Sequence, residues 1–303
     1  MKPLVLNAWT QASGQESRVC LESTCGPTHI EVAKPRRLAD GDYTVGISLS
    51  GVGLAMAPDE ILVADGLIRK IQVRAGSPVT LDVVLEHSAE PVLTVVPGMP
   101  VRVEFAFARS PLAALFSGKT IAVDPGHGGR DAGVRGPVNL LEKDVALDIA
   151  TLLQKMLSEC GATPLMSRDC DCDVDPRGWA IALSMAQPEL LVEIHASGEK
   201  NPMSRSYHAY ARRGSDESLL AAREIAGALT ERMGTTFSGI EPTDFAAIPL
   251  WPAVRLEPVC LTHFVDEANF RAPLFRKRIA QAIFNGISRY LSSASQGGMA
   301  RAG

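Results

Sequence analysis

Lys119–Gly133 reads KTIAVDPGHGGRDAG, and this stretch sets the reading of everything around it. Thr120-Ile121-Ala122-Val123 is a short apolar, β-branched run stopped by Asp124-Pro125-Gly126, which is how a buried strand of a parallel sheet ends. His127 therefore follows a strand's carboxyl end. In an open α/β sheet that edge gathers ligands, because its loops vary while the sheet holds them rigidly. Gly126, Gly128 and Gly129 are expected to take positive φ and to let the backbone come close to an ion or substrate. A lone histidine in a glycine turn is more often a loop residue than a ligand, so the reading depends on partners elsewhere.

Downstream, strand-like and helix-like runs alternate. Strands are expected at 120–124, 163–167, 190–196, 206–212 and 253–259, and helices at about 141–160, 176–187, 216–233 and 272–292. This alternation predicts an α/β domain over 119–293, with a mostly parallel sheet flanked by helices, hydrolase- or phosphorylase-like in its layering. The clearest helix starts at Glu142, with Val145, Ile149, Leu152, Leu153, Met156 and Leu157 on one face and Gly161 as its stop. Upstream, residues 1–110 carry short β-branched or alternating runs broken by glycine, proline and polar turns, among them Leu4 to Trp9, Arg18 to Glu22, Tyr43 to Leu49, Ile68 to Val73, Val79 to Glu86 and Val101 to Phe107. These predict a smaller all-β sandwich domain. SPLAALFSG, Ser110 to Gly118, is bracketed by proline and glycine and reads as a linker over 111–118, and 294–303 reads as a flexible tail.

The chain of 303 residues is 46% hydrophobic and 21% charged, long enough for two domains with real cores. A net charge of -4 without a basic stripe argues against nucleic acid as the main partner. No apolar run is long enough for a transmembrane span. The first residues, MKPLVLNAWTQASGQ, turn polar too soon for a convincing signal peptide. Six cysteines are too few for a disulfide scaffold, and Cys170-Asp171-Cys172 lacks a second pair at zinc-site spacing, so free thiols are favoured over a metal or redox site.

Two further residues join His127. Glu142 opens a helix fifteen positions later, where a carboxylate also suits the helix dipole. His195 follows Leu190-Leu191-Val192-Glu193-Ile194, another strand ending at the same sheet edge. Two imidazoles and a carboxylate are the set a catalytic Zn²⁺ takes when its fourth position is left for water; three unrelated polar residues on one edge are the alternative. Glu193 shares a strand face with His195 and is a candidate for supporting the site. Pro252-Ala253-Val254-Arg255-Leu256-Glu257 brings one more carboxylate to this edge. Glu257 suits a base that takes a proton from water and returns it to a leaving amine, and Arg255 is its alternative salt-bridge partner.

DPGHGGRDAG, a leucine-Glu142-Lys143 helix start, a strand ending IHAS, and PAVRLE before a last amphipathic helix together resemble the zinc-dependent N-acetylmuramoyl-L-alanine amidases of the amidase 3 type, from about Lys119 to Leu291. The resemblance implies one catalytic zinc on His127, Glu142 and His195, and Glu257 as the catalytic glutamate. It implies hydrolysis of the amide between the lactyl group of N-acetylmuramic acid and L-alanine, with peptidoglycan or its muropeptides as partner and a cell-envelope location. The first third resembles an AMIN-type domain, with Pro35-Arg36-Arg37 in a turn between strands, which implies targeting to the envelope. Ala196-Ser197-Gly198, Pro258-Val259-Cys260 and His208 depart from the family pattern. Rival readings are an inactive wall-binding or regulatory protein on this fold, and a zinc hydrolase acting on another amide.

Overall fold

A computed structural model describes residues 3–301 except 58, 202 and 246–250, and the chain divides into two compact units, residues 1–114 and 115–303.

The first unit is built from β1 (Leu4–Ala12), β2 (Glu16–Ser23), β3 (His29–Val32), β4 (Arg36–Arg37), β5 (Tyr43–Ser50), β6 (Gly53–Leu54), β7 (Asp59–Leu62), β8 (Ile68–Arg74), β9 (Val79–Leu85), β10 (Pro91–Val96) and β11 (Val101–Ala108). They form two sheets, ordered β10-β11-β2-β1-β6 and β3-β5-β9-β8-β7, with β4 paired to β5. Period-two burial gives each sheet one apolar face. Val45, Ile47 and Leu49 of β5 are buried beside Val79, Leu81 and Val83 of β9, and Val19 and Leu21 of β2 beside Phe105 and Val103 of β11. The short strands β3, β4 and β6 escaped the sequence reading because they have too few residues to show a period.

The chain continues through α1 (Ser110–Phe116), β12 (Thr120–Pro125), α2 (Glu142–Glu159), β13 (Thr163–Met166), α3 (Pro176–Ala186), β14 (Leu190–Ile194), β15 (His208–Arg212), α4 (Asp216–Met233), β16 (Ile240–Thr243), β17 (Ala253–Glu257), α5 (Phe264–Phe270) and α6 (Pro273–Arg301). The expected linker is thus α1. Pro111 stands in its first turn, where a missing N–H costs nothing, so the proline starts a helix instead of breaking one. Its Phe116 is fully buried and stacks on Phe284 of α6, ring centroids 5.0 Å apart. The expected tail also proves helical, with α6 running to Arg301.

The sheet of the second unit is ordered β13-β12-β14-β17-β15-β16. β13, β12, β14 and β17 run parallel, and β15 and β16 run the other way, so the sheet is mixed with a parallel core. α2 packs on β12 and β13, α4 on β15 and β17, and α6 on both helices.

Strand register makes one face of this sheet change character along its length. Ala122, Leu191 and Ala253 lie side by side in β12, β14 and β17 and pack with Trp179 and Leu183 of α3. Two residues on, the next row reads Asp124, Glu193, Arg255, Tyr210. Another two residues on, where the strands end, come Gly126, His195, Glu257 and, across from Glu257, His208. The apolar row anchors the sheet under α3, and the last row carries the chemistry.

Candidate metal centre and cleft

Glu142 is buried, with 2% of its surface exposed, and it does not serve as a helix cap. The backbone of Leu141 enters α2 without any side-chain cap, and the Glu142 carboxylate turns inward between the two histidines. Its Oε2 lies 3.1 Å from Nε2 of His127 and its Oε1 3.0 Å from Nδ1 of His195. The same oxygens accept backbone N–H groups, Val134 at 2.8 Å and Ala196 at 2.8 Å. One donor atom from each of His127, Glu142 and His195 falls within a group spanning 4.8 Å or less, an arrangement that could hold a metal ion. Two imidazole nitrogens and a carboxylate oxygen, converging with no fourth protein ligand among the described residues, fit an open site.

The turn that carries His127 departs from the sequence reading in an instructive way. Gly126 does not take positive φ; His127 itself does, at 62°. That strained backbone is held because the ring is fixed at both nitrogens, Nε2 toward Glu142 and Nδ1 2.8 Å from Oδ2 of Asp131. Gly126 serves another purpose: a Cβ there would stand 2.3 Å from Cε1 of His195. Gly133, at φ 65°, similarly leaves room for Glu142 and His127, since its Cβ would meet Oε2 and Cδ2 at 2.6 Å each.

Burial works to raise the Glu142 carboxyl, but the hydrogen bonds from His127, His195, Val134 and Ala196 outweigh it and hold the group well below the usual carboxylate range. The bond to Glu142, reinforced by Asp131, pushes metal-free His127 up to about 9. Before a metal enters, the cluster is therefore an ion pair, and metal entry must displace the His127 proton.

Glu257 ends β17 beside His195 and opposite His208. Burial pushes its carboxyl up, while the charges of His208 and His195 oppose the rise. Glu193 and Arg255, registered neighbours, form an ion pair at 2.7 Å, so Arg255 engages Glu193 and not Glu257. A cleft of about 430 Å³ opens over the cluster, lined by His127, His195, Asp124, Glu193, Arg255 and Trp179 among others; Glu257 flanks it without lining it.

Several positioning groups were not recognised in the sequence. Asp131 orients His127 from four residues on, a spacing visible in HGGRD. Arg168 is buried, and its guanidinium donates to the carbonyls of Pro125, Gly126, Lys143 and Cys170, tying the His127 turn to α2. Lys143 donates to the Gly129 carbonyl at 2.8 Å and to Asp171 at 2.7 Å. Glu267 of α5, 1% exposed, accepts the N–H groups of Val138 and Leu140 and so braces the loop that leads into Glu142. Arg168 and Glu267 act across long sequence separations and leave no local pattern. His263 is the buried residue at the start of α5 and accepts from Arg205. None of the six cysteines forms a disulfide.

Residues 121–289 match the family model described as N-acetylmuramoyl-L-alanine amidase, more than half of the chain. The chain belongs to this amidase family. Among its relatives is the N-acetylmuramoyl-L-alanine amidase LytC of Bacillus subtilis, 31% identical over 178 residues that make up 57% of this chain and 36% of LytC, so the chain spans about a third of that relative's length. The germination-specific N-acetylmuramoyl-L-alanine amidase of Bacillus subtilis is 27% identical over 60% of this chain and 84% of its own. In structure, the amidase AmiC2 of Nostoc punctiforme overlays 58% of this chain with a TM-score of 0.54 and 27% identity, covering 99% of the AmiC2 chain. The amidase unit of this chain thus has the family's fold and brings His127, Glu142 and His195 to one point.

Two of the three departures from the family pattern prove to be partners. Ser197 and Cys260 form a β-bridge, and the Ser197 hydroxyl donates to the carbonyls of Ser206 at 2.5 Å and Val259 at 3.1 Å. The bridge lies beside the cluster, whose donor atoms converge nonetheless.

Proposed function

We propose that the second unit is a zinc-dependent N-acetylmuramoyl-L-alanine amidase, hydrolysing the amide between the lactyl group of N-acetylmuramic acid and the L-alanine of the stem peptide in peptidoglycan. The reading rests chiefly on the His127–Glu142–His195 cluster in a chain of this family. Zinc is the ion whose preferences match two neutral imidazoles and a carboxylate with an open position. When bound it supplies Lewis-acid polarisation of the carbonyl and an acidified water.

The protein's own groups do the rest. Asp131 holds the His127 ring so that Nε2 faces the ion, and Glu142 is fixed by two backbone N–H groups. Glu257 takes the proton of the attacking water and delivers it to the departing alanine nitrogen; burial, which raises its carboxyl, suits a group that must both accept and donate. The cleft over the cluster takes the peptide and its sugar. Residues 1–110, within the first unit, are read as an AMIN-like module that brings the amidase to the envelope outside the cytoplasm, in keeping with the unit's two-sheet build.

The test is digestion of purified peptidoglycan by the full chain. New L-alanine amino termini should appear, should vanish on chelation and should return with zinc, and Glu257→Gln should retain zinc without turnover. Release of any other terminus, or full activity in Glu257→Gln, would overturn the reading.

A further inference from the structure

The row of residues just before the metal ligands contains a cation whose binding capacity is only partly used. Arg255 donates through Nε to Oε2 of Glu193 at 2.7 Å, and Glu193 is buried, its side chain 8% exposed. The guanidinium lies 5.7 Å from the ring centroid of Phe245. It is thus held through Nε by a buried carboxylate and lies over an aromatic ring. Its two terminal nitrogens have no hydrogen-bond partner among the described residues, while the side chain is 30% exposed and lines the cleft.

The acids lining the same cleft are each occupied. Asp124 accepts the Ser167 hydroxyl at 2.5 Å, Asp131 holds His127 at 2.8 Å, Asp173 pairs with Arg130 at 3.0 Å, and Glu193 holds Arg255. Arg130, the other arginine of the cleft, stands at the rim with its side chain 93% exposed and its Nε committed to Asp173. Arg255 is thus the sheltered cation, and the free end of a planar guanidinium is shaped for the two oxygens of a carboxylate.

Position says which carboxylate. Arg255 and Glu257 are two residues apart on one strand, on the same face, so they are separated by one strand repeat of about 7 Å. A group on the residue after the alanine lies about one to two residue lengths, roughly 3.5 to 7 Å, from the scissile bond. We propose that Arg255, oriented by Glu193, binds a free carboxylate on the stem-peptide residue that follows L-alanine, and so makes the enzyme selective for the acid over the corresponding carboxamide. This rests on the amidase reading above.

Two muropeptides that differ only in that carboxylate or carboxamide test it. The wild-type holoenzyme should prefer the acid by about ten- to hundredfold in kcat/KM, through KM, the range of a charge-assisted hydrogen bond. Arg255→Gln should abolish the preference. Arg255→Lys, which keeps a charge beside Glu193, should lose most of it because the fork is gone; zinc content and circular dichroism establish that each variant is folded. Binding of both ligands to the Glu257→Gln holoenzyme separates this inference from the amidase reading. Selective binding of the acid without hydrolysis by wild type overturns the reaction and keeps the subsite. Equal handling of acid and amide by wild type, or an unchanged preference in Arg255→Gln, overturns the subsite.

Discussion

Gly126 has no side chain where the imidazole of His195 lies: a Cβ built on it would sit 2.3 Å from Cε1 and 2.6 Å from Nδ1 of that ring. The glycine at the end of β12 and the histidine at the end of β14 are neighbours across a parallel pair, and the strands deliver them at the same height. The backbone cannot yield there, because the Gly126 amide is bonded to the Ile194 carbonyl at 2.9 Å, so the strain falls on the His195 ring.

Gly126→Ala should therefore leave the unit folded and turn His195 away from Glu142. Metal affinity should fall at least tenfold, in the range found when the support of a ligand is lost. Equilibrium dialysis with circular dichroism checks this; wild-type affinity in the variant would show that the ring has another place to go.

Asp131 offers a milder perturbation. Its Oδ2 is 2.8 Å from Nδ1 of His127, so it selects the tautomer that leaves Nε2 free for a metal. Asp131→Asn keeps the size of the side chain but lets its amide donate where an acceptor is needed. An affinity loss of about 10- to 100-fold is expected, with thermal stability of the metal-free protein little changed since Asp131 is largely exposed. Titration against a competing chelator measures it, and unchanged affinity would remove Asp131 from the site.

The ends of strands and the residues that follow them were legible in the sequence, and so was the cluster. DPGHGG and the histidine after Leu190–Ile194 each sit where an apolar run stops, a parallel sheet aligns such stops along one edge, and Glu142 opens the helix that follows the first of them. What escaped the sequence was everything set by contact between distant segments. Arg168 reaches carbonyls about forty residues back, Glu267 reaches backbone amides of the loop before Glu142, and nothing in the sequence links Ser197 to Cys260 until the bridge joins them. The helix within 110–118 was missed for a local reason, since proline was taken as a breaker in the one helical turn where it is favoured.

The ion pair between His127 and Glu142 gives the metal-free protein a defined pH window. His127 is raised from 6.5 to about 9, so its contribution is complete below 6.5 and is lost as pH rises through about 9. Glu142 is depressed below 4.5, so its contribution is present above 4.5 and is lost as pH falls below that value. Between 4.5 and 6.5 both are present in full. The melting temperature of chelated wild type should exceed that of His127→Gln most in this window, with the difference shrinking toward pH 9. A difference that grows with pH would contradict the assignment. In the same protein, metal binding at neutral pH should release a proton, seen as a dependence of the calorimetric heat on the buffer used.

His208 faces Glu257 across the β15–β17 pair, and the two side chains share a sheet face. Burial raises the Glu257 carboxyl, and the largest opposing charge is that of His208, ahead of His195. A base must be ionised to accept the proton of water, so the acidic limb of kcat/KM reports Glu257 in the free enzyme. Replacing His208 by alanine removes the charge that holds this carboxyl down. The limb should then move to higher pH, with activity on the alkaline side of the limb close to wild type, because the ionised base is still present there. A soluble muropeptide assayed across the limb, with zinc content measured in both proteins, gives the answer. If the limb of His208→Ala coincides with that of wild type or moves to lower pH, His208 does not govern the ionisation of Glu257.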